Sequence, residues 1–444
     1  MMMNAALAVS AFLGRNNFLA GGYDVNAVLK AMLFDMEEGL VRKPSNPPEM
    51  GPALDMIPTW AAPPEASPKN RTAIVIDAGG TNFRACLVSF DANGIPVISD
   101  MEKRAMPATD REYGKKEFFD TIAGYLDHLK NKADVIGFCF SYPMEITRDG
   151  DGIVTQFSKE IKAREVIGSP VGASLADALV SRGWNRPKRV VLLNDTAAAL
   201  LAGASQAVGG KAYDSYVGFI LGTGMNAAYI ESAPIPKLSG QDAPTSQIIV
   251  CESGKCNKIP RCRFDEAHDA TTNTPGLFGF EKMCSGAYLG PVTLRALKAA
   301  AADGLFSAPV NTAVASMDAL ELIDMNLFLQ APYKTDTRLG TVLAGASETD
   351  RELVARILDA FVERSARLAA ANIAAAVVKS GKGHSPVAPV CVLCEGTTFL
   401  KTRNLRERVT GYLNQVLTEE RGIYYEIVTM ENAVTLGSAI AALS

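Results

Sequence analysis

The sequence predicts an α/β protein of two lobes around a cleft. Two observations carry this. Short apolar strand patterns alternate with helical patterns along most of the chain, as they do when helices cover the faces of a sheet. One plan also occurs twice, about 145 residues apart. IVIDAGGTNFRACLV begins at Ile74 and GFILGTGMNAAYIE at Gly218, and each reads apolar strand, Gly/Thr/Asn turn, apolar strand. Such a turn offers backbone N–H groups that no large side chain shields, so it can approach a phosphate closely.

The elements follow in order. Asp24 can cap a helix whose apolar face is Val25, Val28, Leu29, Met32, Leu33, Met36 and Leu40, with Gly39 near its end. The stretch 44–70 holds eight prolines and little periodicity, which predicts a linker wandering over a surface. Residues 73–77 and 83–90 read as the strands of the first glycine hairpin. Residues 115–130 are amphipathic, with Phe118, Ile122, Leu126 and Leu129 on one face. Residues 135–140 and 190–193 read as buried strands, and 196–208 as an Ala/Leu-rich helix. Residues 216–221 and 227–230 flank the second turn, GTGMN. One helix is expected over 281–301 and a long one over 349–379. The chain closes strand, helix, strand, helix over 390–393, 404–417, 425–428 and 434–442.

Composition bounds the function. A length of 444 residues allows two or three domains of roughly 150 residues each. Lys plus Arg is 44 and Asp plus Glu is 48, a net charge of -4, which argues against a nucleic-acid binder. Eight cysteines are too few for a disulfide scaffold. The apolar run 5–13 has no positive charge before it, so a secretory signal is not expected. The most apolar internal stretch, 368–378, is too short to span a bilayer. A soluble, cytoplasmic protein with reduced thiols is the expectation.

The phosphate chemistry is then narrowed by elimination. The Gly-Lys pairs at 114, 210, 254 and 381 are never followed by Ser or Thr, so no Walker A loop is present. Gly222, Gly224 and Ala227 satisfy a G-x-G-x-x-A pattern. A dinucleotide fingerprint must open a helix, however, and 227–230 reads as a strand. Two strand–glycine turn–strand units point instead to the two-lobed actin-like ATPase (ribonuclease H-like) fold with an interdomain cleft. Asp195 follows a strand and precedes a helix. That is a ligand-binding position in an α/β sheet, and also the natural N-cap position.

With these residues in view, the chain resembles the hexokinase family. DAGGTNFR (77–84) resembles its first phosphate motif, and GFCFSYP (137–143) its sugar signature. LLNDTAAAL (192–200) resembles the strand carrying the catalytic Asp, and LGTGMNAAY (221–229) the second phosphate motif. FEKMCSGAYLG (280–290) is very close to the family's FEKM-SG-YLG. CEGTTFLK (394–401) resembles the adenosine motif, and MIPTW (56–60) a segment upstream. The resemblance runs in family order over about residues 25–444. It implies an ATP-dependent hexokinase using Mg²⁺ and making hexose 6-phosphate, with glucose the first candidate. Alternatives are a catalytically silent sugar-binding regulator and a kinase for an N-acetylhexosamine or fructose. ATP/ADP and a hexose are the expected partners, without nucleic acid or membrane, in a monomer or homodimer.

The resemblance also implies roles. Ser141, Ser158, Lys159, Asn194, Asp195, Asn226, Glu252 and Glu281 would hold the hexose, since such side chains pair with hydroxyls. Asp195 would take the proton of the 6-hydroxyl, with Lys159 and Arg84 near the transferring phosphoryl group. Asp77, Gly79, Gly80, Thr81, Asn82, Gly222, Thr223 and Gly224 would surround phosphates and Mg²⁺, the ion reaching Asp77 through water. Gly396, Thr397 and Gly437 would lie near the adenosine. The implied division is 71–196 with the final helix 433–444 as the small lobe and 197–432 as the large lobe. Residues 1–70 would pack on the large lobe. This chain departs from the family at Phe157-Ser158-Lys159 (Trp-Thr-Lys in the family), at Cys251-Glu252-Ser253-Gly254 (Thr-Glu-Trp-Gly), and at 431–435, where a glycine–serine loop is replaced.

The cysteines are read separately. Cys251, Cys256 and Cys262 with His268 could suit zinc, but the x4 and x5 spacings are not those of the usual pair. The favoured expectation is an insertion beside the sugar loop, open to oxidation. Cys391 and Cys394, three apart on a strand, would point to opposite faces.

Overall fold

The alternating pattern resolves into two main sheets. The computed structural model of the chain describes residues 5–18, 23–44, 51–63, 67–79, 82–157, 161–205 and 212–444. The first sheet has the order β4-β3-β2-β5-β8. It comprises β2 (Arg71–Gly79), β3 (Asn82–Phe90), β4 (Pro96–Ala105), β5 (Val135–Phe140) and β8 (Arg189–Leu193). The second, ordered β1-β11-β10-β9-β12-β13, comprises β1 (Ile57–Pro58), β9 (Ser215–Leu221), β10 (Met225–Glu231), β11 (Gln247–Val250), β12 (Val390–Glu395) and β13 (Tyr425–Val428). A small hairpin pairs β6 (Met144–Ile146) with β7 (Gly152–Val154).

Both glycine units are antiparallel hairpins. β2 pairs with β3 from Arg71↔Phe90 to Gly79↔Asn82, and β9 with β10 from Leu221↔Met225. The second turn opens a strand, as its sequence predicts. β2, β5 and β8 run parallel, so Asp77, Cys139 and Leu193 stand in one row near the strand ends.

Two helices lie between the sheets. Ala433–Leu443 packs on β2 and β5, and Asp195–Ser205 packs on β9 and β12. Their close crossing depends on glycine. A Cβ on Gly437 would sit 1.8 Å from Ala198 O, and one on Gly137 would sit 2.0 Å from Ser438 O. No side chain larger than hydrogen fits such a gap. Gly437, expected near the adenosine, has no room for a side chain at this helix crossing.

A large core surrounds the 32-residue helix Glu348–Lys379. Ser347 and Asp350 cap it reciprocally: Ser347 Oγ accepts the Asp350 N–H at 3.1 Å, while Asp350 Oδ2 accepts the Ser347 N–H at 3.3 Å. The helix Ala5–Arg15 adds Phe12 on Phe264 (5.8 Å) to this core, the segment after it adds Phe18 on Phe361 (4.8 Å), and the helix Val25–Val41 adds Leu29 and Met32. Asp24 caps the second of them as predicted, its Oδ1 accepting the Ala27 N–H at 2.8 Å.

Several expectations are corrected. The helix expected over 281–301 is two helices, Gly279–Cys284 and Gly286–Ala302. Ser285 breaks it in extended backbone (φ -89, ψ 165), because its Oγ donates to Thr223 O and the Gly286 N–H to Gly222 O, both at 2.8 Å. The proline-rich stretch does not merely skirt a surface. Leu54 and Met56 are fully buried, and β1 within it pairs with β11. The helix expected over 404–417 is α-helical over Leu405–Leu413 and widens to a π-turn over Asn414–Glu419. Among the described residues, no helix is long and apolar enough to cross a membrane.

Candidate active site

The parallel strand ends of one lobe and the glycine turn of the other meet at a group of half-buried polar side chains. From the first sheet come Asp77, Asn82 and Arg84 of the β2–β3 hairpin. Asp77 Oδ2 pairs with Arg84 Nη1 at 3.3 Å, across a register pair. Burial pushes the Asp77 carboxyl above its ordinary range, and Arg84 opposes that. Ser141 follows β5, donating its N–H to Ala78 O at 3.2 Å. Its Oγ lies where a Cβ on Gly79 would approach to 3.3 Å, so Ser141 belongs to the same corner.

Asn194 and Asp195 follow β8. The helix cap falls to Asn194, whose Oδ1 accepts the Thr196 N–H at 2.9 Å and the Thr196 hydroxyl at 2.5 Å. Its carbonyl also accepts the Ala198 N–H at 3.0 Å. Asp195 is thus the first helical residue rather than the cap, with Oδ1 accepting from the Thr196 N–H at 2.8 Å. The helix N-terminus still favours its anion.

The other lobe supplies Asn226, Glu252 and Glu281. Asn226 Nδ2 donates to Glu252 Oε1 at 3.0 Å, while its Oδ1 accepts from the N–H groups of Ala227 (2.8 Å) and Ser253 (3.2 Å). Glu281 Oε2 accepts the Met225 N–H at 3.0 Å. Burial pushes the Glu252 carboxyl up to about 7, with Lys255 opposing and Asp55, Asp195 and Glu281 adding to the rise.

The second turn is fixed from behind. Gly222 O accepts from the Gly286 N–H at 2.8 Å and from Thr398 Oγ1 at 2.9 Å, and Thr223 O accepts from Ser285 Oγ. Gly396 abuts the turn in a conformation open to glycine (φ 107), where a Cβ would meet Leu221 O at 2.2 Å. From Gly222 and Thr223 a cavity of about 860 Å³ extends past Thr397 and Thr398 to Arg295, Lys298 and Lys401. Gly80, Thr81, Ser158 and Lys159 lie outside the described residues.

One residue escaped the sequence reading. Glu395, at the end of β12, has its carboxyl raised first by burial and then by Asp195 and Asp77; the Ala433 N–H, at 3.2 Å, and Arg84 oppose. Its strand-end position was the available signal, but its motif had been read only for the adenosine. Asp195 thus acts on Glu395, which faces Asp77, and on Glu252, which faces Glu281.

The cysteines are structural. Cys86, Cys139, Cys251, Cys256, Cys262, Cys284, Cys391 and Cys394 are all free and buried. Burial raises the Cys256 thiol to about 12 and that of Cys262 to about 11, which answers the expectation of oxidation sensitivity in the negative. Cys391 lies near Gly203 on one face of β12, and Cys394 joins the large core on the other. Among the described residues, no group of three or more His, Cys, Asp or Glu is placed to hold a metal ion.

The chain is similar to known proteins in sequence and in fold. Residues 16–205 and 216–444 each match a family model described as hexokinase. Hexokinase-1 of Schizosaccharomyces pombe is 26% identical over 94% of this chain and 86% of its own length. Hexokinase-7 of Oryza sativa subsp. japonica is 27% identical over 94% and 93%. The fold is that of a Schistosoma mansoni hexokinase solved with glucose, with a TM-score of 0.77 and 22% identity over 99% of this chain and all of that one. A further hexokinase crystal structure gives 0.74 and 20%, over 99% and 98%. The chain therefore belongs to the hexokinase family of ATP-dependent sugar kinases.

Proposed function

We propose that this enzyme transfers the γ-phosphoryl group of ATP to the 6-hydroxyl of a hexose, glucose first, at the entry of glycolysis. One observation supports this most strongly. Asp195 stands between a set fit to pair with hydroxyls (Asn226, Glu252, Glu281) and a set fit to handle phosphate (Asp77, Arg84 and the 222–224 turn). A hydroxyl held by the first set would give its proton to Asp195 as its oxygen attacks the γ-phosphorus. The bond to the β-phosphate oxygen breaks and ADP leaves. Little base strength is needed, because proton transfer comes late in a loose transition state. Ser141, Asn194, Ser158 and Lys159 complete the proposed sugar site. Gly79, Gly80, Thr81, Asn82, Gly222, Thr223 and Gly224 line the proposed phosphate path, and Gly396 and Thr397 begin the adenosine end.

Asp77 offers a single half-buried carboxylate on the proposed phosphate side, paired with Arg84 at 3.3 Å, and the described residues supply no group of three metal ligands around it. Mg²⁺ binds through one or two carboxylates, waters and substrate phosphates, and would there offset phosphate charge. Asp77 would hold it through water.

We place the smaller lobe at 71–196 with 433–444, the larger at 197–432, and 1–70 on the larger. Closure of the two would exclude water that could otherwise hydrolyse ATP. Eight free thiols fit a reducing cytoplasm. The test is a coupled assay with MgATP and a panel of glucose, fructose, mannose and N-acetylglucosamine. Turnover with glucose or another neutral hexose supports the reading. Sugar binding without turnover on any of them replaces it with a silent regulator.

A further inference from the structure

Three lysines cross from the β10–Glu252 region to the N-terminal segment. Lys237 Nζ donates to the carbonyls of Gly39 (2.8 Å), Asp55 (2.7 Å) and Met56 (2.6 Å). Lys258 Nζ donates to Gly51 O at 2.8 Å and lies 3.7 Å from the buried Asp35. Lys255 pairs with Asp55 through Nζ and Oδ2. The N-terminal segment thus stands behind the loop that carries Glu252.

That loop needs support. Glu252 sits in the left-handed region (φ 56, ψ 43), a strained conformation for a residue with a side chain. The 3₁₀ turn Ser253–Lys255 follows it directly, with the Lys255 N–H on Glu252 O at 3.0 Å. The Lys255 ammonium also lies 5.8 Å from the centre of the Phe278 ring, just before the helix that carries Glu281. Lys255 therefore joins the Glu252 turn through its backbone N–H, and the N-terminal segment and the approach to Glu281 through its ammonium.

We propose that Lys255, fixed by Asp55, is a positioning residue for the hexose-binding carboxylate Glu252. This rests on the assignment of Glu252 to the sugar. The charged groups facing Glu252 are Lys255 from its own turn, Asp55 from the N-terminal segment, Asp195 from the central helix and Glu281 from the helix after Phe278. Three are anions that disfavour its ionised form, and Lys255 is the cation that favours it. Burial raises the Glu252 carboxyl to about 7, so its charge changes within the working range of pH. Removing the ammonium raises that value further. At neutral pH the carboxyl then carries a proton and no longer offers sugar hydroxyls a charged acceptor.

The experiment is the pH dependence of hexose KM and kcat, from pH 5.5 to 9, for wild type, Lys255→Met, Lys255→Arg and Glu252→Gln. Lys255→Met should move the KM limb upward by about one pH unit. At pH 7 its KM should rise roughly fivefold, as the ionised fraction falls from about one half to about one tenth, with kcat within about twofold. Lys255→Arg should restore the wild-type limb. A limb that stays in place in Lys255→Met, or a loss confined to kcat, overturns the proposal. If Glu252→Gln changes neither hexose KM nor its pH dependence, the assignment of Glu252 to the sugar fails, and the proposal falls with it. Lys255 is 26% exposed, so Lys255→Met should fold; a lowered thermal midpoint with an unmoved KM limb marks a merely structural role and overturns the proposal.

Discussion

Glu281 Oε2 accepts the backbone N–H of Met225 at 3.0 Å, so a carboxylate proposed to hold the sugar is bonded to the end of the turn proposed to hold phosphate. A Cβ on Gly224 would lie 2.6 Å from that same oxygen. Gly224→Ala must therefore push the Glu281 carboxylate aside. The expected cost is about 1–3 kcal/mol, the usual range for overpacking. It should appear in steady-state kinetics as a raised KM for both hexose and ATP. Unchanged values for both would show that the two halves of the site are not joined here.

Thiol reactivity checks the reading of the cysteines. Burial raises Cys86 and Cys256 to about 12 and Cys262 to about 11, so the thiolate fraction at pH 8 is small. Ellman's reagent should label less than one thiol within minutes in the native protein and all eight in denaturant. Rapid labelling of Cys251, Cys256 or Cys262 in the native state would contradict this.

Arg364 and Asp265 form a buried pair at 2.8 Å, 1% and 2% exposed. Burial opposes the Arg364 charge, but Asp265, Cys262 and Tyr23 outweigh it and raise the pKa. The guanidinium also lies over the rings of Phe18 and Phe361, which ties the N-terminal segment to the long helix. Arg364→Met leaves a buried carboxylate without its cation and should destabilise the protein by about 3–5 kcal/mol. Denaturant unfolding measures this. A loss below about 1 kcal/mol, the value of a surface pair, would contradict it.

Trp60 bridges the two proposed lobes. Its backbone N–H is donated to Oε1 of Gln247 in β11 at 3.1 Å, its ring Nε1–H to Ile146 O in β6 at 3.1 Å, and Arg148 covers its ring at 5.0 Å. The proposed closure would alter at least one of these contacts. Addition of the hexose should change the tryptophan emission of wild type but not that of Trp60→Phe, in which the buried Trp184 remains. An equal change in both proteins would place the moving region elsewhere.

Local chemistry explains what the sequence disclosed. Both glycine hairpins were legible because strand, small turn and strand are specified within 15 residues. The 24–41 helix was legible from its cap and apolar stripe. The break at Ser285 was not, because it is imposed by Gly222 and Thr223, some 60 residues earlier in the chain. β4 was missed because it is an edge strand whose ten positions are all exposed or half-exposed, five of them polar, with no clean alternation. At the site, Asp195 was placed by its strand end, but its capping role passed to Asn194, whose amide oxygen reaches both Thr196 donors. The strut formed by Asp55 and Lys255 joins positions 200 apart, and no local pattern announces it.

The central claim is that Asp195 takes the proton of a sugar hydroxyl. The direct measurement is kcat of Asp195→Ala with MgATP and the best hexose of the panel, beside the hexose dissociation constant of the same protein. Loss of general-base catalysis should lower kcat by about 10²–10⁴-fold. Hexose binding should remain measurable, since Asn226, Glu252 and Glu281 still meet the sugar. A variant that keeps a kcat near wild type would contradict the account.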